Sequence, residues 1–301
     1  MTAGTSQKKV WTILEMLQWG TTYLTEKGFD ESRLTVELLL SHVLSLQRIQ
    51  LYMSFDRPLS EREISLFKEM FQRRLRHEPL QYITGSLEFM GLEFLVDRRV
   101  LIPRPETEVL VEHAIKLAAD RFAGSPARIL DIGTGSGCIA IALAKMIEGS
   151  AVTAIDVSEG AIALAKINGE KNGVVERVDF LAKDIFKMES NAFPHPFHLV
   201  VSNPPYISTS EFAGLAPEIA EYEPNLATTD GSDGLTFYRH IAKVGKSMLL
   251  QDGVVIVECA YNQSIEVQKI FRDAGWSDPE IFKDYSGNPR GLIAHKVASS
   301  Q

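Results

Sequence analysis

After Pro126 the chain alternates between short apolar runs typical of β-strands and longer runs with helical periodicity. The strand-like runs cover residues 128–132, 151–157, 175–182, 198–202 and 254–259, and the helical runs cover residues 137–147, 160–172, 234–250 and 264–274. Five strands joined by helical crossovers predict an α/β fold with a parallel, doubly wound sheet. Such sheets bind ligands where their strands end, near the point at which the strand order reverses. A functional site is therefore expected in the loops that follow the first four strands.

The first 85 residues have a different pattern. Helical periodicity runs through residues 9–27 and 31–46, and Ser60 with Glu63 fits a capping box at the start of a further helix. No strand-like alternation interrupts this stretch, so it is predicted to form a separate helical domain. The pattern leaves two roles open for this domain: a structural cap on the rest of the protein, or a docking surface for a macromolecular substrate.

A short β-hairpin is predicted between the two parts. Apolar residues at positions 89, 92, 94 and 96, broken by Gly85 and Gly91, place it within residues 81–102. Pro103-Arg104-Pro105 ends this pattern, and residues 106–119 follow a helical one.

These patterns divide the chain into three parts. They are a helical domain at residues 1–85, a linking β-hairpin at residues 86–105, and an α/β domain at residues 106–301. A second hairpin, made by residues 279–285 and 290–297, is expected to close the last part.

The composition limits the functions open to the chain. Its formal net charge is −8, and the acidic excess lies in residues 86–301, so a basic face for a nucleic-acid backbone is not expected. No apolar run reaches the roughly 18 residues that span a bilayer, and the polar first residues argue against a signal peptide. Cys138 and Cys259 lie in apolar runs without metal-ligand spacing, which indicates buried free thiols in a reducing compartment. A cytoplasmic protein that binds neither membrane nor metal is therefore predicted.

The loop after the first predicted strand is rich in glycine and reads Asp131-Ile132-Gly133-Thr134-Gly135-Ser136-Gly137. Glycines here permit turns with positive φ and let a ligand approach the backbone. The strict dinucleotide pattern Gly-x-Gly-x-x-Gly is absent, although Gly135-x-Gly137-x-x-Ala140 fits its looser form. The loop therefore predicts a nucleotide-like ligand and leaves a nicotinamide cofactor open.

Acidic residues end the next two predicted strands. Asp156 lies about 20 residues beyond the glycine loop, where a carboxylate can accept both hydroxyls of a ribose. This geometry serves dinucleotides and S-adenosylmethionine alike. Asp184 follows the third strand and could meet an adenine amino group, with Ile185 as a wall beside the ring. A helix-capping or loop role for Asp184 stays open.

The loop after the fourth strand separates these possibilities. Asn203-Pro204-Pro205-Tyr206 presents two hydrogen-bond acceptors at the strand end: the Asn203 side-chain carbonyl and the Pro204 backbone carbonyl. A hydride-transfer enzyme has no use for this pair, whereas an enzyme that methylates an amide or amine does. Donation of two N–H bonds to these acceptors would orient a planar NH2 group and help to localise its lone pair toward the methyl donor.

Tyr206 completes the predicted substrate site, because its ring could stack on the planar group and favour a nearby cation. No side-chain general base is required, since the amide nitrogen becomes acidic once it is methylated. Asn203 and Pro204 are therefore predicted as catalytic residues. The predicted substrate-binding set is Asn203, Pro204, Pro205 and Tyr206.

Further motifs are spread along nearly the whole chain. They are PLQYITG at 79–85, LIPRPETE at 101–108, the glycine loop, NPPYI at 203–207, Glu223-Pro224, DGSDGL at 230–235, and Asp284 with Gly287 and Arg290. In these motifs the chain resembles the bacterial release factor glutamine methyltransferases, also called the HemK or PrmC family. The glycine loop and Asn-Pro-Pro-Tyr recur across many amino-methyltransferases, while LIPRPETE is far more specific to this family.

The resemblance implies a Rossmann-like class I S-adenosylmethionine-dependent methyltransferase domain with a small all-helical N-terminal domain and a linking β-hairpin. It implies methylation of the side-chain amide nitrogen of the glutamine in the Gly-Gly-Gln motif of peptide chain release factors, which modulates translation termination. The implied partner is a release factor, without direct nucleic-acid binding. The implied product of the methyl donor is S-adenosylhomocysteine, and a monomer is expected.

By position, residues 133–137, Asp156 and Asn203 would bind S-adenosylmethionine, and residues 203–206 would hold the glutamine. Asp131, Asp184 and Ile185 complete the predicted cofactor set. Members of this family often carry an aromatic residue where this chain has Ile185. A ring stack on the adenine is therefore not expected there, and van der Waals contact remains.

Two other functions stay in view. An adenine amino-methyltransferase acting on DNA or RNA also uses Asn-Pro-Pro-Tyr, with the base flipped into the pocket. The acidic composition of residues 86–301 and the lack of a basic recognition domain argue against it. A non-catalytic adaptor that binds a release factor or a methyltransferase partner would not need an intact cofactor loop together with Asn203.

Overall fold

The computed structural model of the protein describes residues 10–122, 126–188 and 192–296. The chain forms two compact units, Met1–Thr84 and Gly85–Gln301. Within the described ranges, the first unit is helical and all named β-strands lie in the second. The hairpin predicted at residues 86–105 is part of the second unit.

The first unit contains, in its described part, α1 (Ile13–Glu26), α2 (Ser32–Leu44), α3 (Arg48–Tyr52), α4 (Glu61–Arg74) and α5 (Leu80–Thr84). The predicted capping box is confirmed, because the Ser60 hydroxyl accepts the Glu63 N–H and the Glu63 carboxylate accepts the Ser60 N–H at 2.7 Å. The helix predicted from residue 9 begins at Ile13 with Thr12 as its cap, and Lys9 lies outside the described residues. Leu24, Leu39 and Phe67 are fully buried where the apolar faces of these helices pack together.

The hairpin lies within the range in which it was predicted. Strands β1 (Ser86–Phe89) and β2 (Leu92–Leu95) pair antiparallel, and residues 81–84 before them are helical. The Pro79 carbonyl accepts the N–H groups of Tyr82 and Ile83 at 3.1 Å, which forms a helical turn. Ile83 also packs into the helical core of the first unit.

The second unit is larger. Its helices are α6 (Pro105–Arg121), α7 (Cys138–Met146), α8 (Glu159–Lys171), α9 (Thr209–Phe212), α10 (Pro217–Ala220), α11 (Asn225–Thr228), α12 (Thr236–Met248) and α13 (Ser264–Asp273). Its further strands are β3 (Arg128–Ile132), β4 (Ala151–Asp156), β5 (Val178–Ala182), β6 (Phe197–Ser202), β7 (Leu249–Glu258), β8 (Ser277–Lys283) and β9 (Pro289–His295).

Strands β3 to β9 form one sheet in the order β5-β4-β3-β6-β7-β9-β8. The first five strands in this order are parallel, which confirms the predicted doubly wound sheet, and β9 runs antiparallel to both β7 and β8. The closing hairpin thus extends one edge of the sheet, although Val297, its predicted last residue, lies outside the described residues. Because β3 has β4 on one side and β6 on the other, the strand order reverses at β3.

Two predicted strand boundaries were wrong. Residues 175–177 precede the third strand of the parallel set instead of belonging to it, because a turn closed by the Arg177 N–H on the Val174 carbonyl (2.9 Å) comes first. Leu249 and residue 250 belong to β7 and not to the end of the preceding helix. Leu249 pairs with Phe197 of β6, and this strand pairing outweighs the helical periodicity.

The core of the second unit lies on both faces of the sheet. Buried residues of α6, α7 and α8, such as Leu110 and Ile141, pack on one face together with the hairpin. Buried residues of α12 and α13, such as Tyr238 and Phe271, pack on the other. This three-layer packing leaves the carboxyl ends of β3 to β7 free to carry a site.

Asn168 of α8 ties the hairpin to the glycine loop. It is fully buried, and its Oδ1 accepts the Leu95 N–H at 2.8 Å. Its Nδ2 donates to the Leu95 carbonyl at 3.0 Å and to the Ser136 carbonyl at 2.9 Å. One side-chain amide therefore satisfies backbone groups of two separate segments.

Replacement of Asn168 with leucine is expected to lower the free energy of unfolding by about 2–4 kcal/mol, because three hydrogen bonds are lost at a buried position. Urea unfolding followed by circular dichroism measures the change. The matched control is Asn288→Leu in the exposed turn between β8 and β9, with an expected change below about 0.5 kcal/mol. Equal losses in the two variants would show that the Asn168 bonds do not stabilise the fold.

Candidate functional site

A cavity of about 520 Å³ lies at the carboxyl ends of β3, β4, β5 and β6, where the strand order reverses. The predicted site residues that line it are Gly133, Gly135, Asp156, Asp184, Ile185, Asn203 and Pro205. The predicted site residues outside its lining are Asp131, Thr134, Ser136, Gly137, Pro204 and Tyr206. Residues from all four strand ends therefore meet in one place.

The glycine loop between β3 and α7 adopts a conformation that side chains disfavour. Gly133, Gly135 and Gly137 have φ values of +76°, +54° and +83°. The N–H groups of Gly133 and Thr134 donate to the Ile155 carbonyl at 2.9 and 3.0 Å, so the loop is anchored to β4. The positive φ angles explain why the chain needs glycine at these positions.

Asp131 supports the loop from below. Its side chain is fully buried, and Oδ2 accepts the Thr134 hydroxyl at 2.6 Å. Oδ1 is buried and has no hydrogen-bond partner in the described part of the chain. Burial raises the pKa of Asp131 from its ordinary value of 3.8 to about 7, with the charge of Asp156 adding to the rise and the Thr134 bond opposing it.

The Asp131 pKa has a consequence for stability. Because it is higher in the folded than in the unfolded protein, the folded state holds a proton between about pH 4 and 7 that the unfolded chain releases. Stability from this group is fully present below pH 4 and falls, by up to about 4 kcal/mol, as the pH rises to 7. The Asp131→Asn variant is expected to lose less stability than the wild type between pH 5 and pH 8.

Urea unfolding at both pH values measures this difference. Buried Glu258 contributes equally to both proteins, so its effect cancels. Asp179→Asn, at an exposed position on β5, is the control and should keep the wild-type dependence. An unchanged pH dependence in Asp131→Asn would contradict the raised pKa.

Asp156 lies at the end of β4 and lines the cavity. Its Oδ2 accepts the Gly135 N–H at 2.9 Å, and its Oδ1 accepts the Ser158 N–H at 2.9 Å. Burial raises its pKa above the ordinary value, and these backbone hydrogen bonds oppose the rise. The cap of α8 is Ser158, whose hydroxyl accepts the Ala161 N–H at 3.2 Å. The Asp156 carboxylate is thus held in one orientation, with lone pairs left for ligand hydroxyls.

Asp184 caps a short 3-10 helix at Ile185–Lys187, where its Oδ1 accepts the Phe186 N–H at 3.0 Å. Ile185 is buried and lines the cavity. Phe186 is 42% exposed and lines it too, with its ring 4.9 Å from that of Phe237, another lining residue. Phe186, one residue beyond Ile185, therefore gives the cavity an aromatic wall. This wall was not predicted from the sequence.

Asn203 lies at the end of β6 with its side chain held in place. Its Nδ2 donates to the Thr107 hydroxyl of α6 at 3.0 Å. The amide is therefore oriented with Oδ1 available as an acceptor. Pro204 and Pro205 are buried, and Pro205 lines the cavity beside Asn203.

The backbone beyond Asn203 is fastened from a second element. The Tyr206 carbonyl accepts the Gln263 Nε2 at 2.9 Å, and Gly234 approaches the same carbonyl closely. Gly234 is fixed in turn by Asp230, whose Oδ1 accepts the Gly234 N–H at 2.9 Å and whose Oδ2 accepts the Thr236 N–H at 3.0 Å. The DGSDGL motif thus supports the Asn-Pro-Pro-Tyr loop.

Residues 207–229 form a loop with three short helices, α9 to α11, and part of it (residues 224, 226, 227 and 229) lines the cavity. The two ends of this loop meet, because the Ile207 N–H donates to the Thr228 carbonyl at 3.2 Å and Ile207 forms a bridge with Thr229. Arg104 ties its middle to the segment before α6, since its Nη2 lies 2.7 and 2.8 Å from the two carboxylate oxygens of buried Glu223. Burial raises the pKa of Glu223, and Arg104 opposes the rise.

Several supporting residues had no role predicted from the sequence: Thr107, Glu258, Gln263, and the Arg104–Glu223 pair. Of these, Arg104, Thr107 and Glu223 lie in the motifs at 101–108 and 223–224. Glu258 carried a weak signal, because it is a carboxylate at the end of an otherwise apolar run. The others are brought to the site only by the packing of α6, α13 and the loop at 207–229.

The groups around the cavity suit a nucleoside with a polar tail. A held carboxylate at Asp156 can accept hydroxyls, the rings of Phe186 and Phe237 offer an aromatic wall, and the glycine loop exposes backbone without side chains. In the described ranges, no group of three His, Cys, Asp or Glu side chains could hold a metal ion. No helix in those ranges is both long and apolar enough to cross a bilayer.

Comparison with family models gives two matches. The family described as "PrmC N-terminal domain" matches residues 15–85, and the one described as "Methyltransferase domain" matches residues 124–273. The two matches fall on the helical unit and on the sheet of the second unit, respectively.

Individual proteins give similar results. The chain is 44% identical to a release factor glutamine methyltransferase of Chlorobaculum tepidum, over 95% of this chain and 98% of the relative. It is 43% identical to a protein of the same name from Geobacter sulfurreducens, over 95% of this chain and 97% of the relative. A solved methyltransferase structure from Pyrococcus furiosus shares the fold, with a TM-score of 0.50 at 20% identity over 75% of this chain and 98% of the other.

Proposed function

The chain belongs to the release factor glutamine methyltransferases, and we propose that it methylates the side-chain amide nitrogen of the glutamine in the Gly-Gly-Gln motif of peptide chain release factors. Translation termination would be modulated by this modification. The observation that carries the proposal is the held amide of Asn203, which lines the cavity and offers Oδ1 to a planar NH2 group.

We assign the cavity to the methyl donor. Asp156 would accept the ribose hydroxyls, Asp184 and Ile185 would contact the adenine beside Phe186, and the glycine loop would receive the amino-acid tail. When bound, S-adenosylmethionine supplies a methyl group whose carbon–sulfur bond breaks as a carbon–nitrogen bond forms, so that S-adenosylhomocysteine leaves as a neutral thioether and the amide nitrogen loses one proton to water.

The protein's contribution is to position the acceptor. Asn203 Oδ1 and the Pro204 carbonyl would each accept one N–H of the glutamine amide, which fixes the plane of the NH2 group. Asn203 also lines the donor cavity, so the acceptor nitrogen is held at the cavity wall. Positioning and preorganised dipoles of this kind account for a large part of many enzymatic rate enhancements.

The function is tested by incubating the purified protein with methyl-labelled S-adenosylmethionine and either a release factor or DNA and RNA. We expect label on the release factor and none on a release factor whose Gly-Gly-Gln glutamine is replaced by alanine. Label on nucleic acid alone would favour the adenine amino-methyltransferase. No label on any acceptor would favour a non-catalytic adaptor.

We further propose that the helical unit, residues 1–85, docks the release factor. Helix α3 and the residue that follows it carry exposed apolar side chains: Ile49 is 62% exposed, and Met53, directly after α3, is 80% exposed. Such side chains are typical of interaction surfaces when they lie together.

The Ile49→Glu/Met53→Glu double variant is expected to raise the KM for an intact release factor by roughly tenfold, equivalent to about 1.4 kcal/mol of lost binding. The kcat/KM for a short Gly-Gly-Gln peptide should stay unchanged, because the peptide lacks the rest of the release factor that the helical unit would bind. Ile265→Glu, which changes an exposed isoleucine of α13, is the control. An equal loss with the short peptide would contradict the docking role.

The protein is proposed to act in the cytoplasm, where release factors work. We also propose that it acts as a monomer. This is supported by the site itself, because one chain supplies each of the residues assigned above.

A further inference from the structure

Behind Asn203 lies a buried carboxyl group that the proposed reaction does not use. Glu258 ends β7 and is 1% exposed, and its backbone carbonyl accepts the Tyr238 hydroxyl at 2.8 Å. Its Oε2 is buried without a hydrogen-bond partner in the described ranges. A carboxyl group in this environment is costly to the fold, which is typical of groups that serve a function.

Thr107 lies between this carboxyl group and Asn203. Its side chain is buried, and its hydroxyl oxygen accepts the Asn203 Nδ2 at 3.0 Å. A hydroxyl group has one proton to donate, and here its oxygen is already engaged as an acceptor. Asn203 follows Ser202 of β6 and Glu258 follows Val257 of β7, and Ser202 pairs with Val257 in the sheet, so Asn203 and Glu258 are neighbours. Thr107 and Asn203 both lower the pKa of Glu258, which fits one polar cluster of the three side chains.

We propose that Glu258 is a positioning residue for methyl transfer, an inference that rests on the proposed function. Its carboxylate accepts a hydrogen bond from the Thr107 hydroxyl, and this bond fixes the Asn203 amide with Oδ1 toward the substrate nitrogen. If Thr107 instead directed its proton at Asn203, the amide would turn over and present NH2 to the substrate. A donor at that place repels the N–H groups of glutamine. The charge of Glu258 also favours positive charge developing on the attacking nitrogen.

The protonation of Glu258 controls this arrangement. Burial raises its pKa from an ordinary 4.5 to about 7, against the hydrogen bonding of Thr107 and the charge of Arg290. Below that pH the carboxyl group is neutral and can donate its own proton to Thr107, which removes the acceptor on which the Asn203 orientation depends. The active arrangement is therefore formed as the pH rises through about 7.

The titratable groups facing Glu258 come from six elements or loops: Glu106 of α6, Arg290 of β9, Tyr206 after β6, Tyr238 of α12, Cys259 after β7, and Cys138 of α7. Burial raises the pKa of both thiols to about 12. It also raises the pKa of both phenols above the ordinary value, so all four groups stay neutral near pH 7. Arg290 is paired with Asp284 at 2.9 Å. Asp131 titrates in the same range, so the comparison with a Glu258 variant, and not the wild-type profile alone, identifies the group.

The first test compares kcat on a release factor from pH 5.5 to 8.5 for the wild type, Glu258→Gln, Thr107→Val and Thr107→Ser. We expect the wild-type kcat to rise through about pH 7. In Glu258→Gln and Thr107→Val it should be lower by roughly 10- to 100-fold at pH 8, with the rise lost in Glu258→Gln. Thr107→Ser, which keeps the hydroxyl, should retain most activity. A wild-type kcat and pH profile in Glu258→Gln would overturn the proposal.

A second readout does not depend on catalysis. The side-chain 15N–1H2 signals of Asn203, assigned by their loss in Asn203→Ala, are expected to shift with a midpoint near pH 7 in the wild type and to stay constant in Glu258→Gln. Signals that do not respond to pH in the wild type would overturn the coupling even if the variants fail to fold. A wild type that shows this shift but methylates no release factor would instead refute the proposed function.

Discussion

Replacement of Asn203 with alanine is expected to lower kcat for release factor methylation on the order of 100- to 1,000-fold, while the affinity for S-adenosylhomocysteine changes less than about tenfold. The side chain supplies one of the two acceptors that orient the glutamine amide, and loss of one preorganised polar group in an active site has effects of this size. The cofactor cavity keeps other polar groups, among them Asp156 and Asp184. Single-turnover kinetics and calorimetric titration measure the two quantities.

Two further variants sharpen this result. Asn203→Asp keeps the shape but loses the N–H donated to Thr107 and places a second carboxyl group beside Glu258, so it should be at least as inactive as alanine. Asn288→Ala, in the exposed turn between β8 and β9, should keep full activity. Normal turnover in Asn203→Ala would remove this residue from the mechanism.

Replacement of Gly234 with alanine is expected to reduce kcat/KM about 100-fold or more, although the added methyl group would contact neither the substrate nor the cofactor tail. A Cβ at this position would lie 2.3 Å from the Tyr206 carbonyl oxygen and 2.7 Å from Gln263 Nε2. Real Cβ contacts are not this short, so the Tyr206 backbone must move and the Asn-Pro-Pro-Tyr loop with it. A displacement of about 1 Å in a positioning group can cost 100-fold in rate.

The chain offers a matched control within the same loop. Gly231 also has a positive φ, +70° against +81° for Gly234, but a Cβ on it would meet nothing within 4 Å. Gly231→Ala therefore carries the same backbone strain, about 1 kcal/mol, without the collision. If both variants lost activity equally, strain in the loop and not the contact with Tyr206 would be the cause.

The parts of the fold that depend on local physics were predictable from the sequence. Ser60 and Glu63 form their capping box from residues three apart, and the glycine loop needs positive φ angles that other residues disfavour. The buried strands β3 and β6 are short apolar runs followed by polar tips. In each case the determining interaction lies within a few residues of the pattern.

The parts that depend on long-range packing were not predictable. Leu249 is a strand residue because β6 pairs with it, and residues 81–84 are helical because they pack into the first unit. The helices α9 to α11 have four residues each, too few for apolar periodicity to appear. Thr107 is one of several polar residues in a helix, and only the fold brings it to Asn203, 96 positions away in the chain.

The joined ends of the loop at residues 207–229 have a practical consequence. Because Ile207 pairs with Thr229, the two ends of the loop that connects β6 to α12 are held together, whatever the sequence of the loop between them. Closure entropy grows slowly with length, so insertions or exchanges between these two residues should leave the sheet intact. Part of the cavity lining therefore lies in an exchangeable loop, and grafting loops from relatives that keep Glu223, the partner of Arg104, is a rational route to altered substrate selectivity.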